Sequence, residues 1–371
     1  MPRLVNRGYD TIAASRGDTI NIPIPSAIAV QAVSPAATPP STADIAPTSV
    51  AIVLNKWYEA PFYLTDKDMM DAMDGVMPMQ ASEAVKAVCQ QMDLDTIAAF
   101  TGVYGFVGTP GTTPFSTPVS PNIVPDTAVF TAGRAVLNRQ LAPMGDRRVV
   151  LDPDAEGAAL NLRAFQDTSW AGGPQGIIMG QIGTKIGADW YMDQNVGIKT
   201  TGTLTNGTIH AAKVNGTVLA GATTMNINEV TLTGTILPGD IFSVAGVSGT
   251  FAVTNSTTLT AAGNAITGVT FAPAAPVGGF TSTAVITFKG IVGGAGYVRN
   301  LIFHRDAVAF ASRPLADLPL ADSLVQSIGD PLTGVNLRLE ITREHKRTRF
   351  SWDTLYGVQL VRPELAVVLA G

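Results

Sequence analysis

The sequence has little of what most protein chemistry requires. Its 371 residues include one cysteine, Cys89, and three histidines, His210, His304 and His345. A single cysteine excludes an intramolecular disulfide framework and a multi-cysteine zinc centre. Three scattered histidines leave little for a histidine-based metal site. Charge is also scarce: Asp, Glu, Lys and Arg make up 14% of the chain, where about a quarter is usual. The formal net charge is -5, which argues against a strongly basic nucleic-acid binder. No run of about 18 purely apolar residues occurs, so no transmembrane helix is expected. The neutral stretch 27–43 holds Pro35, Pro39 and Pro40 and cannot span a bilayer as a helix. The opening MPRLVNRGYD has no apolar core of the secretory kind.

What is present argues for a folded, multidomain chain. Apolar residues reach 46%, which excludes bulk disorder. The 37 glycines fall far short of the collagen proportion. At roughly 100–200 residues per domain, two or more domains are expected. The low charge fits a surface largely covered by other copies of the chain, or a neutral one rich in Thr, Gly and Ser.

Signatures of catalysis are missing. There is no phosphate loop, nucleophile elbow, zinc-protease helix or EF-hand loop. Gly293–Gly296 (GGAG) lacks the surroundings of a dinucleotide site and reads as a turn. His304-Arg305-Asp306 matches the kinase tripeptide but lacks its companion motifs. Asp66, Asp68, Asp71 and Asp74 lack the glycine and terminal glutamate of a calcium loop and read as a solvated helix face. No catalytic, cofactor-binding or metal residue is therefore nominated. The strongest charge feature is Arg343, His345, Lys346, Arg347 and Arg349. Alternation along one strand would put Arg343, His345, Arg347 and Arg349 on one face. That face could meet nucleic acid or an acidic neighbour, but salt bridging with Glu340 and Glu344 close by is the favoured reading.

Along the chain, Ile20, Ile22 and Ile24 alternate as in a strand. Pro23 and Pro25 restrict that strand to an edge or an arm. A neutral Pro/Ala/Thr segment follows, then AIVLNKWYEAPFYLTDKD, so residues 16–64 read as a long β-hairpin arm carrying Trp57 and Tyr58. Ala81, Ala84, Val85, Val88 and Met92 recur at helical steps, with Pro78 in the first turn and Gly102 and Gly105 beyond the end. Cys89, beside that stripe, reads as a small core residue. A second helix begins near Asp126 or Thr127, with Val129, Ala132, Val136 and Leu137 as its apolar face. A buried strand Val149–Leu151, a turn at Asp152-Pro153 and a further helix come next. Residues 197–290 differ from the rest: between Gly202 and Phe288 the only charges are Lys213, Glu229 and Asp240. Short β-branched runs between Gly/Asn turns predict an all-β module of five or more strands inserted into an α+β chain. After it, GYVRNLIFHRDAVAFASRPL reads as a strand leading into a helix, and 335–369 as strands.

Several strings, taken in order, resemble one family. They are LVNRGYD followed by GDTINIPIP (4–25), TAGRAVLNRQLAPMGDRRVVLDP (131–153), IGADWYMDQNV (186–196), LPGDIFSVAGV (237–247), RNLIFHRDAVAFASRPL (299–315) and WDTLYGVQLVRPELAVV (352–368). The chain resembles a tailed-phage major capsid protein with the HK97 fold, of the P22 coat-protein-like type with a β-rich insertion. The resemblance implies an α+β fold with an extended loop, a spine helix, an axial mixed α/β domain and an all-β insertion domain. Its map is a short N-terminal arm (1–15), the extended loop (16–64), a peripheral domain with the spine helix (65–105) and the axial domain (106–196 and 291–330). The insertion spans 197–290, and the C-terminal strands (331–371) return to the peripheral domain. Only three residues precede Leu4, where family members commonly have a longer arm.

The implied function is structural and not enzymatic: self-assembly through pentamers and hexamers into an icosahedral head around double-stranded DNA. The implied partners are further copies of the chain, a separate scaffolding protein, a portal, a decoration protein and loosely held DNA, with no membrane and no cofactor. The implied location is the virion, after assembly in the host cytoplasm. Trp57, Tyr58, Arg343, Arg347 and Arg349 are the candidates for intersubunit contact, aromatics and arginines being the usual interface anchors. The alternatives are an encapsulin-like shell, or a carbohydrate-binding protein using the Thr-rich module, which would need exposed aromatics within 197–290.

Overall fold

The computed structural model describes residues 1–10, 19–25, 28, 30, 35, 48–71, 76–116, 127–166, 180, 182–207, 211–290, 294, 296–317, 323–329 and 335–371. The tip of the expected arm and the loop before the second helix lie largely outside these residues. Two large sheets, a long helix, a closed barrel and a two-stranded hairpin dominate the described residues, with shorter helices between them.

The central sheet has seven strands. Its order is Gly105–Gly108, Ala366–Ala370, Tyr297–His304, Arg147–Leu151, Ala188–Met192 and Thr184–Lys185, with Ile198–Lys199 also pairing Tyr297–His304. Ala366–Ala370 is buried at every position, as a strand covered on both faces requires. The helix Ala128–Arg139 packs against this sheet through Phe130, Gly133 and Leu137. Its buried face is offset from the expected one: Ala132 is exposed and Gly133 is buried. Glycine suits that position because a Cβ there would lie 2.6 Å from Ile302 Cδ1. Phe130, Phe115 and Phe165 surround Trp190 with ring centroids 4.7, 5.8 and 5.2 Å away. Asp152 caps the helix Pro153–Leu160, its Oδ2 accepting from the Asp154 and Ala155 amides.

The chain then crosses from one sheet to the other. After Tyr297–His304 comes a single 3-10 turn, Arg305–Ala307, and then a strand, Val308–Arg313. A helix was expected there. The run Val308-Ala309-Phe310-Ala311 is buried throughout, and a run apolar on both sides shows no period that separates strand from helix.

In the five-stranded sheet, Arg347–Leu360 is the spine. Lys56–Thr65 pairs along one edge, and Asn336–Glu344 and Val308–Arg313 share the other, with Ser323–Gly329 outermost. The register aligns Leu324, Ile341, Phe350 and Phe62 on one face, Phe62 and Phe350 stacking at 5.1 Å. The long helix Val76–Ala99 covers part of that face, burying Val88 and Met92. Asp95 on the helix accepts from the buried Tyr356 hydroxyl at 2.6 Å and meets Lys56 Nζ at 3.1 Å. Cys89 lies outside the core, exposed to solvent, because the buried stripe runs through Val88, Met92 and Thr96.

Residues 211–289 form a closed six-stranded barrel. Its order is Thr224–Asn228, Ala265–Ala272, Phe251–Val253, Ile241–Val244, Val285–Lys289 and Ala211–Val214, which pairs back with Thr224–Asn228. Phe242, Phe251, Phe271, Phe280 and Phe288 fill its interior, all 3% exposed or less. The chain enters through Ile198–Lys199 and leaves through Tyr297–Val298, and these segments pair antiparallel.

Candidate functional site

Three surfaces collect the residues of interest: the root of the hairpin, the charged face of the five-stranded sheet, and the junction between barrel and body.

The hairpin pairs Thr19–Ile24 with Thr48–Val53, from Thr19 opposite Val53 to Ile24 opposite Thr48. Alternation turns Ile20 and Ile22 inward with Ile52 and Leu54, onto Ala309, Ala311 and Val361. Gly357 makes that approach possible, since a Cβ there would lie 2.4 Å from the Val53 carbonyl. Pro23 stands opposite Ser49 in this two-stranded ribbon, where a missing amide is tolerated. Beyond the stem, Ile28 and Val30 are 75% and 98% exposed.

Trp57 and Tyr58 do not belong to this ribbon. The β run breaks at Leu54-Asn55, and both residues sit in Lys56–Thr65, inside the five-stranded sheet. Trp57 is exposed and its Nε1 donates to Asp353 at 3.0 Å, on the sheet's charged face. Tyr58 faces the other way, its ring 6.1 Å from that of Tyr356.

The basic cluster is also arranged differently from the single-strand expectation. The chain reverses at His345-Lys346, Lys346 having φ +56°, so Glu344 pairs with Arg347 and Arg343 with Thr348. The reversal puts Arg343 on the face opposite Arg347 and Arg349. Arg343 pairs with Asp66 at 2.8 Å, and Arg349 with Glu59 at 2.7 Å. Arg347 donates from Nε to Glu344 at 2.6 Å and lies 4.4 Å over the Tyr63 ring. Sequence reasoning missed the most buried pair of this face: Arg338 grips Asp353 through Nε at 3.0 Å and Nη2 at 2.6 Å. That bidentate bond raises the arginine's pKa above its ordinary value. The signal was the cross-strand register, which is readable only once the turn position is known.

At the junction, Asp240 is 2% exposed and tied on both oxygens. Oδ1 meets Lys199 Nζ at 3.2 Å, and Oδ2 accepts from Gly202 N at 2.9 Å and Leu237 N at 2.8 Å. Burial lowers the Lys199 pKa, and Asp240 opposes that shift. Gly239, at φ +76°, brings its turn against the end of the long helix, where a Cβ would meet Thr101 at 2.5 Å. Arg299 donates to the Ile97 carbonyl and to Thr101, and Thr250 donates to the Tyr104 carbonyl. No group of three or more His, Cys, Asp or Glu able to hold a metal ion occurs among the described residues. Among them, too, no helix is long and apolar enough to cross a membrane.

No family model matches the sequence, and no curated protein matches it. Solved structures do match. A chain from Mycobacterium phage Che8 superposes with a TM-score of 0.51 at 14% identity, over 98% of this chain and 88% of its own. A chain from the capsid structure of the cyanophage P-SCSP1u gives 0.51 at 13% identity, over 96% and 84%. The fold is that of a phage capsid chain. In both cases the alignment extends over nearly the whole of this chain. The five phenylalanines of the barrel are interior, so the exposed aromatic cluster that sugar binding would need is not formed by them.

Proposed function

We infer that this chain is the major capsid protein of a tailed double-stranded DNA phage, a structural protein that self-assembles into the head. The observation that carries the reading is the likeness, over nearly the whole chain, to a chain of a cyanophage capsid structure and to one from Mycobacterium phage Che8. In this reading the fold is of the HK97 type. Of residues 16–64, the part up to Val53 is the extended loop, rooted on Gly357 and reaching over a neighbour, while Lys56–Thr65 belongs to the five-stranded sheet. The helix Val76–Ala99 is the spine, and the central sheet is the core of the axial domain. Residues 197–290 are an insertion, a reading supported by the paired inbound and outbound strands. Pentamers and hexamers arise from head-to-tail contacts that close into rings. Trp57 and the Arg343, Arg347 and Arg349 ion pairs remain candidates for contact with neighbours. The internal pairing of those arginines supports loose, non-specific contact with packaged DNA. A scaffolding protein, a portal and a decoration protein are the expected partners.

The test is negative-stain microscopy of the purified chain, alone and coexpressed with neighbouring gene products. Closed shells are expected. A monodisperse monomer under every condition would overturn the reading.

A further inference from the structure

Beside the long helix lies an open groove of about 810 Å³ that no contact described so far uses. Its walls are mostly apolar: Met1 and Leu4, Val85 and Cys89 of the helix, Met192, and Leu337. It continues toward the uncovered edge of the apolar sheet face, where Leu324 and Ile328 are 60% and 48% exposed. The carboxylates of the groove are already engaged, Asp93 and Asp193 meeting the chain's own ammonium at 2.9 and 3.7 Å. Its guanidiniums are engaged less fully. Arg148 donates from Nη1 to the Arg3 carbonyl, while its Nε is buried without a partner. Among the described residues, neither Arg3 nor Arg148 meets a carboxylate.

The same molecule carries a matching surface elsewhere. The helix Asp66–Asp71 presents Met69 and Met70, 41% and 81% exposed, beside the exposed Asp68. Four aspartates and one lysine fall between 66 and 74. Methionine is an adaptable filler of apolar grooves, and a carboxylate is the natural partner of an arginine fork. A chain cannot easily serve its own groove, because Asp66 is held on Arg343, about 20 Å along its strand from the groove residue Leu337. The neutral hairpin stem offers no acid, since no charged residue lies between Asp18 and Asp44.

We propose that the Asp66–Asp71 helix of one copy docks in the groove of a second. Its methionines lie against Met1, Leu4, Val85 and Leu337, and the exposed Asp68, which in the free chain accepts only from Thr65 among the described residues, faces Arg3 and Arg148. The contact joins two different surfaces, so it propagates head to tail instead of stopping at a pair. It rests on the shell reading only in requiring self-association.

Cys89 is the sole cysteine and lines the groove, which gives a direct test. In the full-length Met70→Cys variant, mild oxidation with copper–phenanthroline should join each introduced thiol to Cys89 of the next copy. The expected product is a non-reducing ladder that continues past dimer. Adding R3E/R148E should weaken the ladder by about tenfold or more, since like charges brought together at an interface oppose binding. Adding D68K to that variant should restore it. Absence of a ladder, a product that stops at dimer, or a ladder indifferent to R3E/R148E would overturn the contact. Shells seen by microscopy without a ladder would overturn this contact alone. A ladder without shells would keep the contact and overturn the shell reading.

Discussion

The barrel and the five-stranded sheet solve the same problem in opposite ways. The barrel closes on itself, leaves no strand edge open, and carries its stability in five interior phenylalanines with ring centroids 5.1–6.0 Å apart. The sheet ends in two open edges, Ser323–Gly329 and Lys56–Thr65, and lines one face with arginine–carboxylate pairs. Closure removes the unpaired amides and carbonyls that invite another chain; open edges keep them. The barrel therefore satisfies its own strand edges, whereas the sheet keeps edges to which, in the proposed shell, neighbours can add.

The largest test of that contrast is to delete the arm between Val30 and Val50. The expected result is complete loss of assembly, read by sedimentation, with the thermal transition of the monomer retained; normal shells from the deletion would contradict the contrast. Next in size, Phe242→Ala should cost about 3–5 kcal/mol in the barrel. Calorimetry should then show a transition well below that of the body, whereas one unchanged transition would mean the barrel does not carry its own stability. Asp240→Ala strands Lys199 at a buried junction, and breaking such a pair costs about 3 kcal/mol. Hydrogen exchange should show faster opening around Ile198–Lys199 and Leu237, with strands deep in the barrel unaffected. The smallest effect belongs to the sheet's exposed pairs. Arg347→Ala should change monomer stability by less than about 1 kcal/mol in chemical denaturation, and a larger loss would mean the charged face supports the fold itself.

The parts legible in the sequence were those with a clean local period or an unusual composition. Ile20 and Ile22 alternate because one face of the ribbon is buried, and Asp152-Pro153 announces a capped helix. The charge-poor, turn-rich stretch from 202 to 288 reads as strands because so few other structures suit it. The rest depended on partners far away in sequence. Nothing local marks Asn55 as the point where one β run becomes two strands serving different sheets. The reversal at His345-Lys346 uses a lysine at positive φ, where glycine or asparagine would have been the signal. That one turn decides that Arg343 faces the helix side while Arg347 and Arg349 face the other. Cys89 was misread because a helical stripe in a sequence does not show which neighbours exist to cover its flank.

One feature bears on how such a chain can change over generations. The segments flanking the barrel lie side by side as paired strands, Ile198 opposite Val298 and Lys199 opposite Tyr297. Neighbouring strands stand about 4.8 Å apart, a gap that a tight turn of two residues closes. The residues between Lys199 and Tyr297 thus leave and rejoin the body side by side, on two neighbouring strands. The barrel can be shortened, exchanged for another module or made to carry a foreign sequence without shifting the register of any strand in the central sheet. What must travel with such an exchange is a partner for Lys199 and a cover for Thr101 and Tyr104.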